Sequence, residues 1–138
     1  MKLKVVLDEG AKMPTRAHEA DAGLDLYSRV NAVLRPGMMA EFDTGVHVAI
    51  PKGYVGLLTS KSGLMQKGVT SRGTIDADFT GSIKAILYHQ GKEPVRIAKG
   101  HKITQLVICP IITPDPVQVE SLDATERGDG GFGSTGKF

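Results

Sequence analysis

Two aspartates near the middle of the chain have the spacing of a catalytic or metal-binding pair. Asp76 and Asp78 lie in the segment GTIDADFTG, residues 73–81. If this segment is a strand or a hairpin, residues two apart face the same side, and both carboxylates could serve one site as a general base or a metal anchor. A solvated hairpin tip is the alternative, because such tips also favour polar residues.

A second set of polar residues indicates a site for an anion. Asp25 lies between two leucines in the segment DAGLDL, residues 21–26, and an acid in that setting predicts a specific partner. The segment SKSG, residues 60–63, combines two hydroxyls, Lys61 and a predicted helix start, and anions bind at helix N-termini. A serine that caps a short helix explains the same residues equally well.

The segment RGDGGFGSTGKF, residues 127–138, contains five glycines and few residues that form a core. Glycine loses the most backbone entropy on ordering, so this segment does not hold itself in a packed fold. It is either a disordered tail or an arm that orders over a ligand, with backbone N–H groups and Arg127 suited to phosphate. Its matches to the dinucleotide and P-loop patterns are rejected, because both require a strand before the motif and a helix after it.

The elements that position these groups are predicted to be short strands. Apolar runs rich in β-branched residues are separated by Gly and Pro turns, and they cover residues 3–7, 39–50, 54–59, 83–88, 95–97, 103–112 and 117–119. This pattern is typical of an all-β sandwich or barrel. One short helix is predicted over residues 62–67, ending at Gly68. We expect a β domain over residues 1–124 and an arm over residues 125–138.

Composition narrows the class of protein further. The 138 residues are 41% hydrophobic and 23% charged, which predicts one globular domain and excludes a disordered chain. The single cysteine, Cys109, excludes a disulfide framework, and no apolar stretch approaches the ~18 residues of a spanning helix. A net charge of +2 is too mild to indicate nucleic acid or a membrane as a partner. We expect a cytoplasmic protein, or one of the host cytoplasm if it is phage-encoded.

Five blocks of the sequence resemble, in order, the five motifs of the homotrimeric dUTPase (dUTP diphosphatase) family. They are AGLDLYS (22–28), SKSGL (60–64), GTIDADFTG (73–81), GHKITQL (100–106) and RGDGGFGSTG (127–136). The resemblance implies a distorted jelly-roll-like β-barrel and a homotrimer with active sites shared between subunits. It also implies hydrolysis of dUTP to dUMP and pyrophosphate, which keeps uracil out of DNA and supplies dUMP for thymidylate synthesis. Mg²⁺ would be held mainly by phosphate oxygens and water.

The resemblance also implies a role for individual residues. Asp76 would orient and deprotonate the water that attacks the α-phosphorus, and Asp25 would lie near the metal-bound waters. Phosphate contacts would come from Lys61, Ser62, Gln105, Arg127, Ser134 and Thr135. The uracil and deoxyribose would lie against Thr70, Gly73, Ile75, Phe79 and Phe132, and residues 69–78 would form a hairpin whose backbone reads the uracil edge.

Three positions depart from the family pattern. Lys61 stands where the family usually has Arg, Phe79 where it usually has Tyr, and Thr70 where it often has Asn. These differences bear on phosphate and uracil affinity rather than on the reaction. Two alternatives stay open: a dCTP deaminase of the same fold, although the hairpin lacks a deaminase-type Glu, and a regulatory protein-docking role of the kind some phage dUTPases have.

Overall fold

Short strands form nearly all the regular structure in the computed structural model, which describes residues 1–137. In chain order the elements are β1 (Lys4–Leu7), β2 (Gly23–Tyr27), β3 (Ala32–Leu34), β4 (Met39–Asp43), β5 (Val46–Ala49), β6 (Tyr54–Thr59), α1 (Ser62–Met65), β7 (Val69–Ser71), β8 (Gly73–Ile75), β9 (Lys84–His89), β10 (Val95–Ile97) and β11 (Lys102–Pro110). The predicted all-β fold with one short helix is confirmed.

All the strand pairs are antiparallel, and they form four sheets. The central sheet has the order β2-β11-β6-β8, and a second sheet has the order β4-β9-β7. The pairs β1-β5 and β3-β10 complete the set. Within residues 1–137 these pairings do not close into one continuous barrel.

Alternating side chains build the core. On β9, for example, Ala85, Leu87 and His89 are buried, while the residues between them face outward, as the two-residue period of a strand requires. One apolar cluster includes Leu26, Leu58, Ile75 and Leu106 of the central sheet. The other includes Phe42, Val69, Ala85 and Leu87 of the three-stranded sheet.

Three local predictions are corrected. The run 39–50 is two strands, because Gly45 adopts a φ of +69° and turns the chain between β4 and β5. Residues 117–119 form no strand, and they are exposed in the described chain. Residues 69–78 do not form a hairpin, since β7 pairs with β9 while β8 pairs with β6. This segment therefore passes from one sheet to the other.

The helix is shorter than predicted, and Gly68 sets the turn that follows it. Gly68 has a φ of +89°, and an added Cβ would lie 2.4 Å from the backbone nitrogen of Gly91. Only glycine tolerates both the positive φ and the close approach of the Gly91 backbone, and this allows the short connection from α1 to β7. Among residues 1–137, no helix has the length and apolar character needed to cross a membrane.

Candidate active site

Asp25 lies at the centre of a charged cluster on the central sheet. Its side chain is buried, with 3% of the residue exposed. One carboxylate oxygen accepts a hydrogen bond from Lys61 Nζ, and the other accepts one from Lys102 Nζ at 3.1 Å. The hydrogen bond and the charge of Asp25 raise the pKa of Lys102. The predicted specific partner of Asp25 is thus confirmed, and there are two.

Gln105 stands beside Asp25 in the same sheet. It is in register with Asp25 on β2 and with Thr59 on β6. Its Nε2 donates to the Ser60 carbonyl oxygen at 3.0 Å, which fixes the side chain across the sheet. A Cβ on Gly23 would lie 2.3 Å from Gln105 Oε1, so the glycine leaves the room that this side chain occupies.

Hydroxyl groups connect the second sequence block to β7 and to the fourth block. Ser60 Oγ accepts from the Ser71 backbone N–H at 2.9 Å and donates to the Ser71 carbonyl oxygen at 3.1 Å. Ser71 Oγ bonds Thr104 Oγ1 at 2.7 Å, deep in the protein. Because buried polar groups are costly without partners, this network fixes the start of the Lys61 segment.

Ser62 begins α1 and is exposed. The N-cap position is held by Lys61, and no side chain caps the helix, so the interpretation of a serine cap is wrong. The structure therefore brings Asp25, Lys61, Ser62 and Gln105 to one end of the central sheet.

Asp76 lies elsewhere, in a turn that follows β8. The Phe79 N–H donates to the Asp76 carbonyl oxygen at 3.1 Å and closes the turn. Asp76 and Phe79 line a surface pocket of about 410 Å³ together with Lys84, and 43% of Phe79 is exposed. Asp78 is in the same turn, so the two aspartates do not share one face of a strand, and the alternative of an exposed polar turn describes this segment.

The residues implied to hold the base lie on both larger sheets. Thr70 is paired with Tyr88 in β9, while Gly73 is paired with Leu58 in β6. Ile75 is 8% exposed and packs in the core, so only its backbone is available to a ligand.

The Asp25 cluster and the Asp76 turn are far apart within one chain. Asp25 is in register, through Gln105, with Thr59, whereas Asp76 follows Ile75, the partner of Gly56. Three strand spacings and about four residues along the strand separate the two positions, which amounts to about 20 Å. At that separation the two groups are not in contact within one chain.

The glycine-rich segment lies on the surface. Every described residue after Pro110 is exposed, and the ring of Phe132 is fully so. The Arg127 guanidinium donates locally, from Nε to the Gly130 carbonyl oxygen at 2.7 Å and from Nη2 to that of Gly131 at 3.4 Å. Ser134 and Thr135 lie in the same exposed stretch.

Lys102 is the site residue that the sequence did not single out. A register shift between Lys102 and Thr104 lets its ammonium group reach Asp25 although β11 places it three residues before Gln105. A bulge of this kind leaves no local signature in the sequence, so the alternation of β11 alone could not reveal it.

The geometry is that of an all-β protein with a cluster of charged and polar side chains at one end of its central sheet. Within residues 1–137 there is no group of three His, Cys, Asp or Glu side chains placed to hold a metal ion. A family model described as dUTPase matches residues 9–136. The chain belongs to the dUTPase family.

Curated relatives agree along the whole length. A deoxyuridine 5'-triphosphate nucleotidohydrolase of Corynebacterium glutamicum is 45% identical, over 98% of this chain and 95% of that one. The protein of the same name from Clostridium tetani is 41% identical, over 99% and 97%.

Solved structures agree as well. The dUTPase of Staphylococcus bacteriophage 80alpha, solved with dUPNHPP, superposes with a TM-score of 0.92 at 37% identity, with 99% of each chain covered. A variant dUTPase of phage phi11 of S. aureus, described with a structural Mg(II) ion, gives 0.81 at 35% identity over 88% of this chain and 98% of that chain.

Proposed function

We propose that this chain is a dUTP diphosphatase that cleaves dUTP to dUMP and pyrophosphate. The observation that carries the proposal is the convergence of three separate sequence blocks on Asp25, Lys61 and Gln105 at one end of the central sheet. The names of the curated relatives support the substrate.

The complete site is proposed to form between copies of the chain in a homotrimer. The support is the distance of about 20 Å between the Asp25 cluster and the Asp76 turn, estimated from strand spacing. A second copy can place its Asp76 turn opposite the cluster of the first. The arm of a further copy, with Arg127, Phe132, Ser134 and Thr135, is then free to close over the ligand and exclude bulk water.

Asp76 is proposed as the general base. Its exposed turn leaves the carboxylate accessible to water and to substrate. The water oxygen attacks the α-phosphorus, the proton passes to the Asp76 carboxylate, and the bond from the α-phosphorus to the bridging oxygen breaks to release pyrophosphate. General-base assistance of this kind contributes roughly 10²–10⁴-fold.

Lys61, Ser62, Gln105 and Arg127 are proposed to hold the phosphates. The ammonium, the guanidinium and the backbone N–H groups of the arm stabilise negative charge at the transferring phosphorus. Lys61 starts from an ion pair with Asp25, so a bound triphosphate competes with Asp25 for this ammonium. Lysine has one compact charge on a flexible stem, which suits such an exchange between two anions.

Phe79 is proposed to contact the deoxyribose and Phe132 to stack on the uracil. Both rings are exposed in the described chain, and the backbone near Thr70, Gly73 and Ile75 is proposed to reach the edge of the base. Phe79 has no hydroxyl, so it can exclude a sugar 2′-hydroxyl by bulk but cannot hydrogen-bond the ligand.

Mg²⁺ is proposed to enter with its substrate. The Asp25 carboxylate faces two ammonium groups, so this cluster is net positive before substrate binds and does not favour a bare cation. The free lone pairs of Asp25 would accept hydrogen bonds from water on the ion. When bound, the ion would neutralise charge on the phosphates.

A direct assay tests the reaction. Purified protein with Mg²⁺ should release pyrophosphate from dUTP and should release no ammonia from dCTP. Ammonia from dCTP would favour the deaminase alternative, and the absence of both products would refute the proposed reaction.

A further inference from the structure

His47 connects two parts of the fold that are remote in sequence. Its Nδ1 is 2.7 Å from the Thr80 carbonyl oxygen, and its Nε2 is 3.0 Å from Asp8 Oδ1. The ring thereby joins β5 to the end of β1 and to the loop that follows the Asp76 turn. Its side chain is 26% exposed, at the wall of a surface pocket that Lys4 also lines.

Both partners of the ring can only accept hydrogen bonds. A carbonyl oxygen and a carboxylate oxygen offer no proton, so the ring satisfies both only as the imidazolium, which donates from both nitrogens. The Thr80 carbonyl, and then the Asp8 carboxylate, raise the pKa of His47 above its ordinary 6.5. The charged groups near the ring are Asp8 and Lys4 beside β1 and Asp43 at the end of β4.

The loop that His47 contacts carries two residues of the proposed site. At its start, Ile75 is paired with Gly56, and at its end the Ile83 N–H donates to the Val46 carbonyl oxygen at 2.8 Å. Between these two anchors, the contact at Thr80 ties the loop to β5. Thr80 follows Phe79 directly, and the Phe79 N–H donates to the Asp76 carbonyl oxygen at 3.1 Å, so a displacement at Thr80 is passed to both residues.

We propose that His47 is a positioning residue, which holds residues 76–81 through the Thr80 carbonyl and so sets the positions of Asp76 and Phe79. Its effect on catalysis rests on the proposed function, whereas its effect on the loop does not. His47 touches neither reacting atoms nor substrate in this arrangement.

The arrangement makes the loop sensitive to pH in one direction. Because folding raises the pKa of His47, the stabilisation is fully present below about 6.5, the ordinary value, and is lost as the pH rises through the folded value. A neutral ring keeps one donor only. The tautomer that still donates to Thr80 turns a lone pair toward the Asp8 carboxylate, and this repulsion favours release of Thr80 by the neutral ring.

NMR order parameters of the Phe79, Thr80 and Gly81 amides test the loop directly. The intact protein should show an ordered loop at pH 5.5 and a more mobile loop above the pKa of His47, which the same spectra report. His47→Ala should be mobile at both pH values. Asp8→Asn should be ordered at both, because its amide can donate to the neutral Nε2 and leave the Nδ1 proton on Thr80.

Kinetics with dUTP test the consequence for the site. At pH 5.5, His47→Ala should lower kcat by about tenfold with less change in KM, since a displacement of ~1 Å can cost on the order of 100-fold. The defect should shrink as the pH rises and the intact protein loses the same contact. His47→Gln keeps an uncharged donor, so it should restore part of the rate with no pH dependence of its own.

Equal loop order in the intact protein and His47→Ala at pH 5.5 would overturn the proposal. A mobile loop in Asp8→Asn at high pH would show that Asp8 does not cause the neutral ring to release Thr80. If the loop behaves as expected but dUTP is not hydrolysed, the proposed function is wrong and the structural role of His47 still holds.

Discussion

At the scale of single residues, the buried Asp25 carboxylate is the most constrained group in the candidate site. A charge taken out of water is costly unless it is paired, and Asp25 is paired with two lysines. The two lysines differ in their surroundings, because Lys61 precedes α1 beside Ser62 whereas Lys102 begins β11. Replacing each lysine in turn therefore compares the loss of a proposed phosphate contact with the loss of an ion pair to the same carboxylate.

Lys61→Ala should weaken dUTP binding by about 10- to 100-fold, because a charge-assisted hydrogen bond contributes roughly 1.5–3 kcal/mol. Lys102→Ala removes an ion pair to the same carboxylate from a residue outside the proposed phosphate contacts, so its effect on affinity should be smaller. Lys61→Arg should be tolerated and should tighten binding a few-fold, because a guanidinium holds two phosphate oxygens in one plane.

The three lysine variants are compared by their dissociation constants for a non-hydrolysable dUTP analogue, measured at two ionic strengths. The loss in Lys61→Ala should shrink as salt rises, since salt screens an exposed charge. Equal affinities of Lys61→Ala and the intact protein at low salt would remove Lys61 from the phosphate site.

Asp76→Asn should lower kcat by roughly 10²–10⁴-fold, because a carboxamide cannot take the proton of the attacking water. Asp76 is exposed in its turn, so the fold should not depend on its charge. Steady-state kinetics and circular dichroism check both points. Asp78→Asn, in the same turn, is the control, and an equal loss of kcat in that variant would mean that Asp76 has no special role.

At the scale of elements, the join between α1 and β7 depends on Gly68. A left-handed backbone costs a residue with a Cβ about 1–2 kcal/mol. At Gly68 the added Cβ would also meet the Gly91 backbone at 2.4 Å, and overpacking of this kind adds roughly 1–3 kcal/mol. Gly68→Ala should therefore lower the free energy of unfolding by more than the φ angle alone explains.

Gly53→Ala is the matched control for this prediction. Gly53 has the same φ of +89°, but nothing lies within 4 Å of its added Cβ. Urea unfolding of the two variants at one protein concentration separates the cost of the angle from the cost of the contact. Equal losses would show that the Gly91 backbone moves away at no cost.

The strands that could be predicted are those whose side chains alternate between apolar and polar, or form a short apolar run bounded by turn residues. β6 and β10 begin and end where the sequence indicates. Residues 117–119 also alternate β-branched and polar residues, but they have no pairing partner in the described chain. The local pattern alone therefore could not decide whether they form a strand. Segment 69–78 has the strand signals of a hairpin, yet its two halves pair with β9 and β6 instead of with each other.

Candidate residues for a site could be named from the sequence, but their arrangement in space could not. The position of Asp25 between leucines indicates a partner, and Lys61 supplies one. Lys102 and His47 could not be found in this way. The first depends on a bulge, and the second on a carbonyl 33 residues away, which carries no sequence signal.

At the scale of the whole molecule, a site shared between chains makes a prediction about mixtures. Asp76→Asn and a chain that lacks residues 127–138 should each be nearly inactive and folded. Co-refolded together, they should regain activity, because the arm of one chain can close over the Asp76 of another. Light scattering should give about three times 14.7 kDa for the Asp76→Asn protein, three times the smaller mass of the truncated chain for that protein, and a value between the two for the mixture.

Turnover of the mixture measures this complementation. A mixture of two Asp76 variants, Asn and Ala, is the control and should stay inactive at the same total concentration. If the first mixture is no more active than the sum of its parts, the base and the arm act within one chain, and the proposed shared site is wrong.

The exposed segment after Pro110 has a consequence for limited proteolysis. All the strands of the described chain end at or before Pro110, and every described residue after it is exposed. Proteases cut exposed backbone that no sheet holds more readily than the strands of a packed core. Trypsin should therefore cleave after Arg127 first and leave the β domain whole.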